Sequence, residues 1–144
     1  MRQIKFRGKV NHYLNLDRFC DIKSGEWIYG DLSTCDDPCI ILPEDGRGFF
    51  VEEDTVGQCM GRKDKNGREI YEDDVFTVDG KYPKLVGWDE ETASFAVANV
   101  EDIRRQVEWD IWQHPDKRWW QDFGNLVEVI GNIHDDPELL TQKI

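Results

Sequence analysis

Long apolar runs are missing from this 144-residue chain. The run Cys39-Ile40-Ile41-Leu42 is as long as they come, where a membrane-spanning helix needs about 20 residues. No charged-then-apolar segment reads as a secretion signal, so a cytoplasmic location without a membrane partner is expected. Cysteine is sparse: Cys20, Cys35, Cys39 and Cys59. Cys35 and Cys39 lack the close CxxC spacing of a zinc ribbon, and no second pair follows. His12, His114 and His134 are scattered and match no ligand spacing. Reduced thiols, no metal and no cofactor are therefore expected. Bases are the scarcer charge, 18 Lys and Arg against 30 Asp and Glu, for a net charge of −12. Such a field keeps a protein soluble and repels phosphate backbones, which argues against nonspecific DNA binding.

What is present excludes a disordered chain. Aromatics reach 12% and hydrophobics 39%, enough to build a core at this length without a disulfide or metal. Ile4, Phe6 and Val10 alternate with Lys5, Arg7 and Lys9 as in a strand. Further strand-like runs are Glu26 to Leu32, Cys39 to Leu42, Phe49 to Val51, Thr55 to Met60, Val75 to Val78, Lys84 to Trp88, Ser94 to Val97 and Leu126 to Ile133. Turn signals separate them, the clearest being Asp64-Lys65-Asn66-Gly67, because Asn-Gly accepts the positive φ of a tight turn. Residues 101–113 fit both periods, with a lean to helix for their first part. Asp136-Pro137-Glu138 reads as the start of a short terminal helix, capped by Asp136. The pattern predicts a mainly-β single domain over 1–144, a small barrel or curled sheet with extra strands and one or two short helices. It divides into N-terminal strands over 1–54, a barrel-like middle over 55–100 and a helix/strand segment over 101–144.

Four segments in order carry a family resemblance. They are Arg2-Gln3-Ile4-Lys5-Phe6-Arg7-Gly8-Lys9, then Gly25-Glu26-Trp27-Ile28-Tyr29-Gly30-Asp31-Leu32, then Asp54-Thr55-Val56-Gly57-Gln58 leading to Asp64-Lys65-Asn66-Gly67-Arg68-Glu69-Ile70-Tyr71-Glu72-Asp73-Asp74-Val75, and last Glu128-Val129-Ile130-Gly131-Asn132-Ile133 before Pro137-Glu138-Leu139-Leu140. Together they resemble the YopX family of bacteriophage and prophage proteins. Two departures stand out. Asp73 occupies a position where that pattern usually has glycine, and His134 one where tyrosine is frequent. The resemblance implies a mainly-β fold with an SH3-like barrel component and implies no reaction.

No motif with a mechanism is found. Gly57-Gln58-Cys59-Met60-Gly61-Arg62-Lys63 lacks phosphate-loop spacing, and there is no nucleophile elbow or paired-histidine zinc motif. Adjacent carboxylates such as Asp73-Asp74 and Glu90-Glu91 face opposite sides of a strand and form no two-carboxylate site. The interaction candidates are Lys65 and Arg68 at the Asn-Gly turn, and Trp112, Trp119 and Trp120, which could anchor a protein partner or simply pack. Lys5, Arg7 and Lys9 complete the set, about 7 Å apart on one strand face and able either to track phosphates or to pair internally. For each, the packing or pairing reading is the stronger. The functional expectation is a phage- or prophage-derived accessory protein without enzymatic activity, acting through contacts with a host or phage protein or with copies of itself. The alternative is a nucleic-acid role, by the basic strand or by acidic mimicry of DNA.

Overall fold

The computed structural model describes residues 4–11, 25–34 and 37–141. Cys20, Cys35, His12 and Arg2 lie outside them. Backbone alternation does most of the organising. The strands are β1 (Phe6–Lys9), β2 (Trp27–Ser33), β3 (Cys39–Ile41), β4 (Gly48–Phe50), β5 (Gly57–Lys63), β6 (Glu69–Tyr71), β7 (Asp74–Val78), β8 (Lys81–Asp89), β9 (Ser94–Asn99), β10 (Trp112–Gln113) and β11 (Val127–Asn132). Two α-helices join them, α1 (Val100–Arg104) and α2 (Lys117–Phe123). The fold is mainly β, with sheets in the orders β4-β3-β2-β1-β5-β6 and β10-β9-β8-β7-β11. Each order has two end strands, so neither sheet closes into the expected barrel. No described helix is long and apolar enough to cross a membrane.

By internal contacts the chain divides into two compact units, 1–59 and 60–144. In the first, β1 pairs antiparallel with β2, β2 with β3, and β3 with β4. The inward side chains Val10, Ile28, Ile40, Phe49 and Val51 form its core, backed by Phe6 and Leu32. A 3-10 turn at Glu53–Thr55 ties in β1, because Thr55 Oγ1 accepts from the Lys9 amide at 2.9 Å.

The second unit holds the meander β7-β8-β9-β10, with β11 returning antiparallel beside β7. Its core comprises Ile70, Phe76, Val86, Val97, Val127 and Val129, together with Val78 and Trp120. Asp79-Gly80 makes the β7–β8 turn, with φ of 54° and 72° at the two residues. Such positive angles match the right-handed twist of the strands it joins. The next residues break the ladder. Val78 pairs with Lys81 but Phe76 pairs with Lys84, so β8 carries an extra residue, a bulge, at Tyr82-Pro83. Proline has no N–H to give a ladder and is tolerated at such a place.

Trp119-Trp120 lie in α2, which the Asp116 carboxylate caps by accepting from the Trp119 amide at 2.9 Å. One expectation for the C-terminal segment changes. Pro137–Leu140 is a single 3-10 turn, in which Asp136 contributes its backbone carbonyl to the Leu139 amide and its side chain makes no cap bond. The ambiguous 101–113 stretch resolves into α1 and, after an irregular stretch, the two-residue strand β10.

Candidate functional site

The Asn-Gly hairpin between β5 and β6 is built around Asp64. Its Oδ1 accepts from the amides of Asn66 and Arg68, both at 2.9 Å, and its Oδ2 from the amide of Val129 at 3.0 Å. Burial pushes this carboxyl up, but the donated hydrogen bonds, with the Arg68 charge, outweigh it and hold its pKa below the ordinary value. Lys65 is engaged, its ammonium 3.0 Å from Glu128 Oε2, and Asn66 donates weakly to the same oxygen at 3.4 Å. The Lys65 and Asn66 hydrogen bonds lower the pKa of Glu128. Arg68 stays exposed. Most of this segment's polar groups are spent on its own geometry.

The basic strand is not an open cationic face. Arg7 is only 2% exposed, its guanidinium 4.5 Å from the centroid of the Trp27 ring on β2. Lys9 reaches the same ring at 5.5 Å. A guanidinium is weakly hydrated and stacks on indole, so it takes the inner position that simple alternation denies a charge. Lys5 and Lys9 are half-buried.

Two histidines find carboxylates that spacing did not connect. His134 Nε2 lies 2.8 Å from Asp73 Oδ2, which joins the two departures from the family pattern. Asp73 keeps the left-handed backbone that glycine would supply, with φ of 72°. His114 Nε2 lies 2.9 Å from Asp89 Oδ2 and 3.1 Å from Thr92 Oγ1, which in turn meets Ser94 Oγ at 2.7 Å. A hydroxyl–imidazole–carboxylate relay needs both ring nitrogens, one for each neighbour. Here a single nitrogen meets both neighbours. Cys39 and Cys59 are half-buried. Among the described residues no three His, Cys, Asp or Glu side chains converge as metal ligands.

The tryptophans separate into distinct environments. Trp120 is core, 8% exposed, with Phe76 at 6.2 Å and the Arg62 guanidinium 4.8 Å above its ring. It is therefore withdrawn from the contact candidates, since the helix turns it inward. Trp112 packs its ring on Gly87, where an added Cβ would fall 2.2 Å from Cη2. Trp88 meets Phe95 edge to face at 5.3 Å, and Trp109 is 63% exposed. Trp119 stands half-buried at the edge of the core, with Phe123 one turn on at 5.5 Å.

Trp119 and Phe123 form one wall of a recess of about 650 Å³ within the second unit. Val78 and the β8 bulge, at which Tyr82 is 69% exposed, also line it. Tyr82 sits at φ 55°, left-handed backbone that costs a bulky residue energy and recurs at functional sites. Lys84, Asn99 and three residues of α1 complete the lining. Lys84 Nζ donates to Asn99 Oδ1 at 2.7 Å, and Asn99 Nδ2 to Asp102 Oδ2 at 3.5 Å. Burial pushes the Lys84 ammonium below the ordinary lysine value, with the Asp102 charge opposing it. Arg104 is fixed by Glu101 at 3.1 Å and by the carbonyl of Leu139 at 3.4 Å. Of the sequence candidates only Trp119 reaches this recess. Tyr82, Lys84, Arg104 and Phe123 were missed. The one available signal was Pro83, a proline next to a tight turn that marks a ladder break.

Fold and recess together define a two-unit, antiparallel β protein whose second unit carries an aromatic-walled groove. The chain belongs to the YopX family: the model described as YopX protein matches residues 5–141. Among solved structures it is similar to protein EF1440 from Enterococcus faecalis, at 18% identity and a TM-score of 0.48, over 97% of this chain and 99% of that one. No curated protein matches.

Proposed function

We propose that this chain is a non-catalytic accessory protein of phage or prophage origin, working in the bacterial cytoplasm by contact with a host or phage protein. The contact is made at the groove between the β8 bulge and α2. The observation that carries this reading is Tyr82, exposed, held in a costly backbone conformation, and facing a recess walled by Trp119 and Phe123. Aromatic side chains in a partly desolvated recess are the usual anchors of protein contacts. The recess volume also lies in the range of binding sites. The His114–Asp89 geometry supports the non-catalytic part, because it lacks a second nitrogen for proton relay. We also read the second sheet as SH3-like, on the ground that β11 returns beside the first strand of the meander.

The test is a pull-down from host lysate with tagged protein, with and without nuclease, run beside Phe123→Ser and Arg118→Ala. A protein retained after nuclease by the wild type and Arg118→Ala, but lost from Phe123→Ser, is the expected result. Recovery that collapses with nuclease would replace this reading with a nucleic-acid role. Equal recovery by all three would place the contact elsewhere.

A further inference from the structure

The groove is not merely apolar. Its polar lining includes N–H donors that meet no acceptor. Among the described residues the Lys84 ammonium has one hydrogen-bond partner, Asn99 Oδ1, and no carboxylate in ion-pair contact. An ammonium has three N–H donors, so two remain for a guest. Arg104, 13% exposed as a side chain, spends its two Nη groups on Glu101 and the Leu139 carbonyl, and its buried Nε–H meets no acceptor. The two nearby acids do not relieve this. Glu101 is committed to Arg104, while Asp102 is turned to the amide of Asn99. Asn99 thus bonds both the Lys84 ammonium and Asp102, the carboxylate whose charge acts on it.

Such a site accepts a charge of one sign in a limited amount. A half-buried cation with no carboxylate in ion-pair contact gains from a carboxylate brought in together with apolar surface, which excludes water from the new pair. A polyanion is disfavoured by the net charge of −12, whereas a single carboxylate is not. Tyr82, Trp119 and Phe123 line the same recess and offer ring surface suited to a flat or branched apolar side chain.

We infer that the groove is an acceptor for a partner segment that presents an Asp or Glu side chain next to an aromatic residue, with the carboxylate placed on Lys84. This rests on the reading of the groove as the contact site and specifies its chemistry.

The experiment is an amide and indole NMR titration of the full ¹⁵N-labelled chain. The probes are a pentapeptide Gly-Phe-Glu-Phe-Gly blocked at both ends, its Gln twin, and a Gln peptide with a free C-terminal carboxylate after Phe. The Glu peptide should shift Lys84, Asn99 and the Trp119 indole, and bind about tenfold more tightly than the Gln twin at low salt. That preference should shrink in about 0.5 M NaCl, vanish in Lys84→Met and persist in Lys84→Arg. Equal binding of the Glu and Gln peptides at the groove would overturn the charge selection and leave the contact site standing. Stronger binding of the free-carboxylate peptide would overturn the side-chain source in favour of a chain terminus. No shift at the groove with any peptide would overturn the contact site as well. The comparison of peptides on the wild-type chain decides the matter even where a variant folds poorly.

Discussion

At the scale of single residues, Asp64 shows how a charge is used here for architecture. Three backbone amides point at one carboxylate, and a hairpin and β11 are held by it. Asp64→Ala should cost about 2–3 kcal/mol in urea unfolding, since charge-assisted hydrogen bonds are lost and the Val129 amide is left buried. The sign of the pH dependence follows from the shift. The folded carboxyl titrates below its ordinary 3.8, so its stabilisation is complete above that pH and is lost as pH falls through the folded value. The variant should therefore lose less stability than the wild type between about pH 4 and pH 2. Gly87 makes a different point, because the space a side chain would need is filled by the Trp112 ring. Gly87→Ala should cost about 1–3 kcal/mol, and little of that should remain when Trp112→Ala is made with it, a coupling that a double-mutant cycle reads directly.

At the scale of elements, strands were the most readable part of the chain. Period-two alternation and turn signals set β2, β7 and β9 close to their observed ends. What alternation alone misjudges is a side chain with two characters. Arg7 takes an inner place because Trp27 covers it, while α2, to which no period was assigned, starts at the Asp116 cap. Removing that cap tests the account: Asp116→Ala should lower stability by about 1 kcal/mol and reduce the near-ultraviolet signal of Trp119 and Trp120 before global unfolding. The groove was hardly legible, because its walls come from β7, β8, β9 and both helices, with no spacing that links Tyr82 to Phe123. Only the proline of the β8 bulge betrayed it, and a bulge re-aims a side chain in a direction that sequence does not give.

At the scale of the whole molecule, charge and cores do separate work. Two hydrophobic clusters serve the two units, while the excess of acids sets which partners can approach. Family membership identifies the kind of chain and leaves its action to the site, as fold and function are separable. The central claim is that the Tyr82 side of the second unit meets a protein partner. A photo-crosslinking phenylalanine analogue placed at position 82, with the same analogue at position 109 as the control, tests it in host cells. Tyr82 and Trp109 are comparably exposed, at 69% and 63%, but only the first lines the groove. A discrete protein adduct from position 82 and not from position 109 is the predicted result. The same adducts from both positions, or none from position 82, would contradict the account.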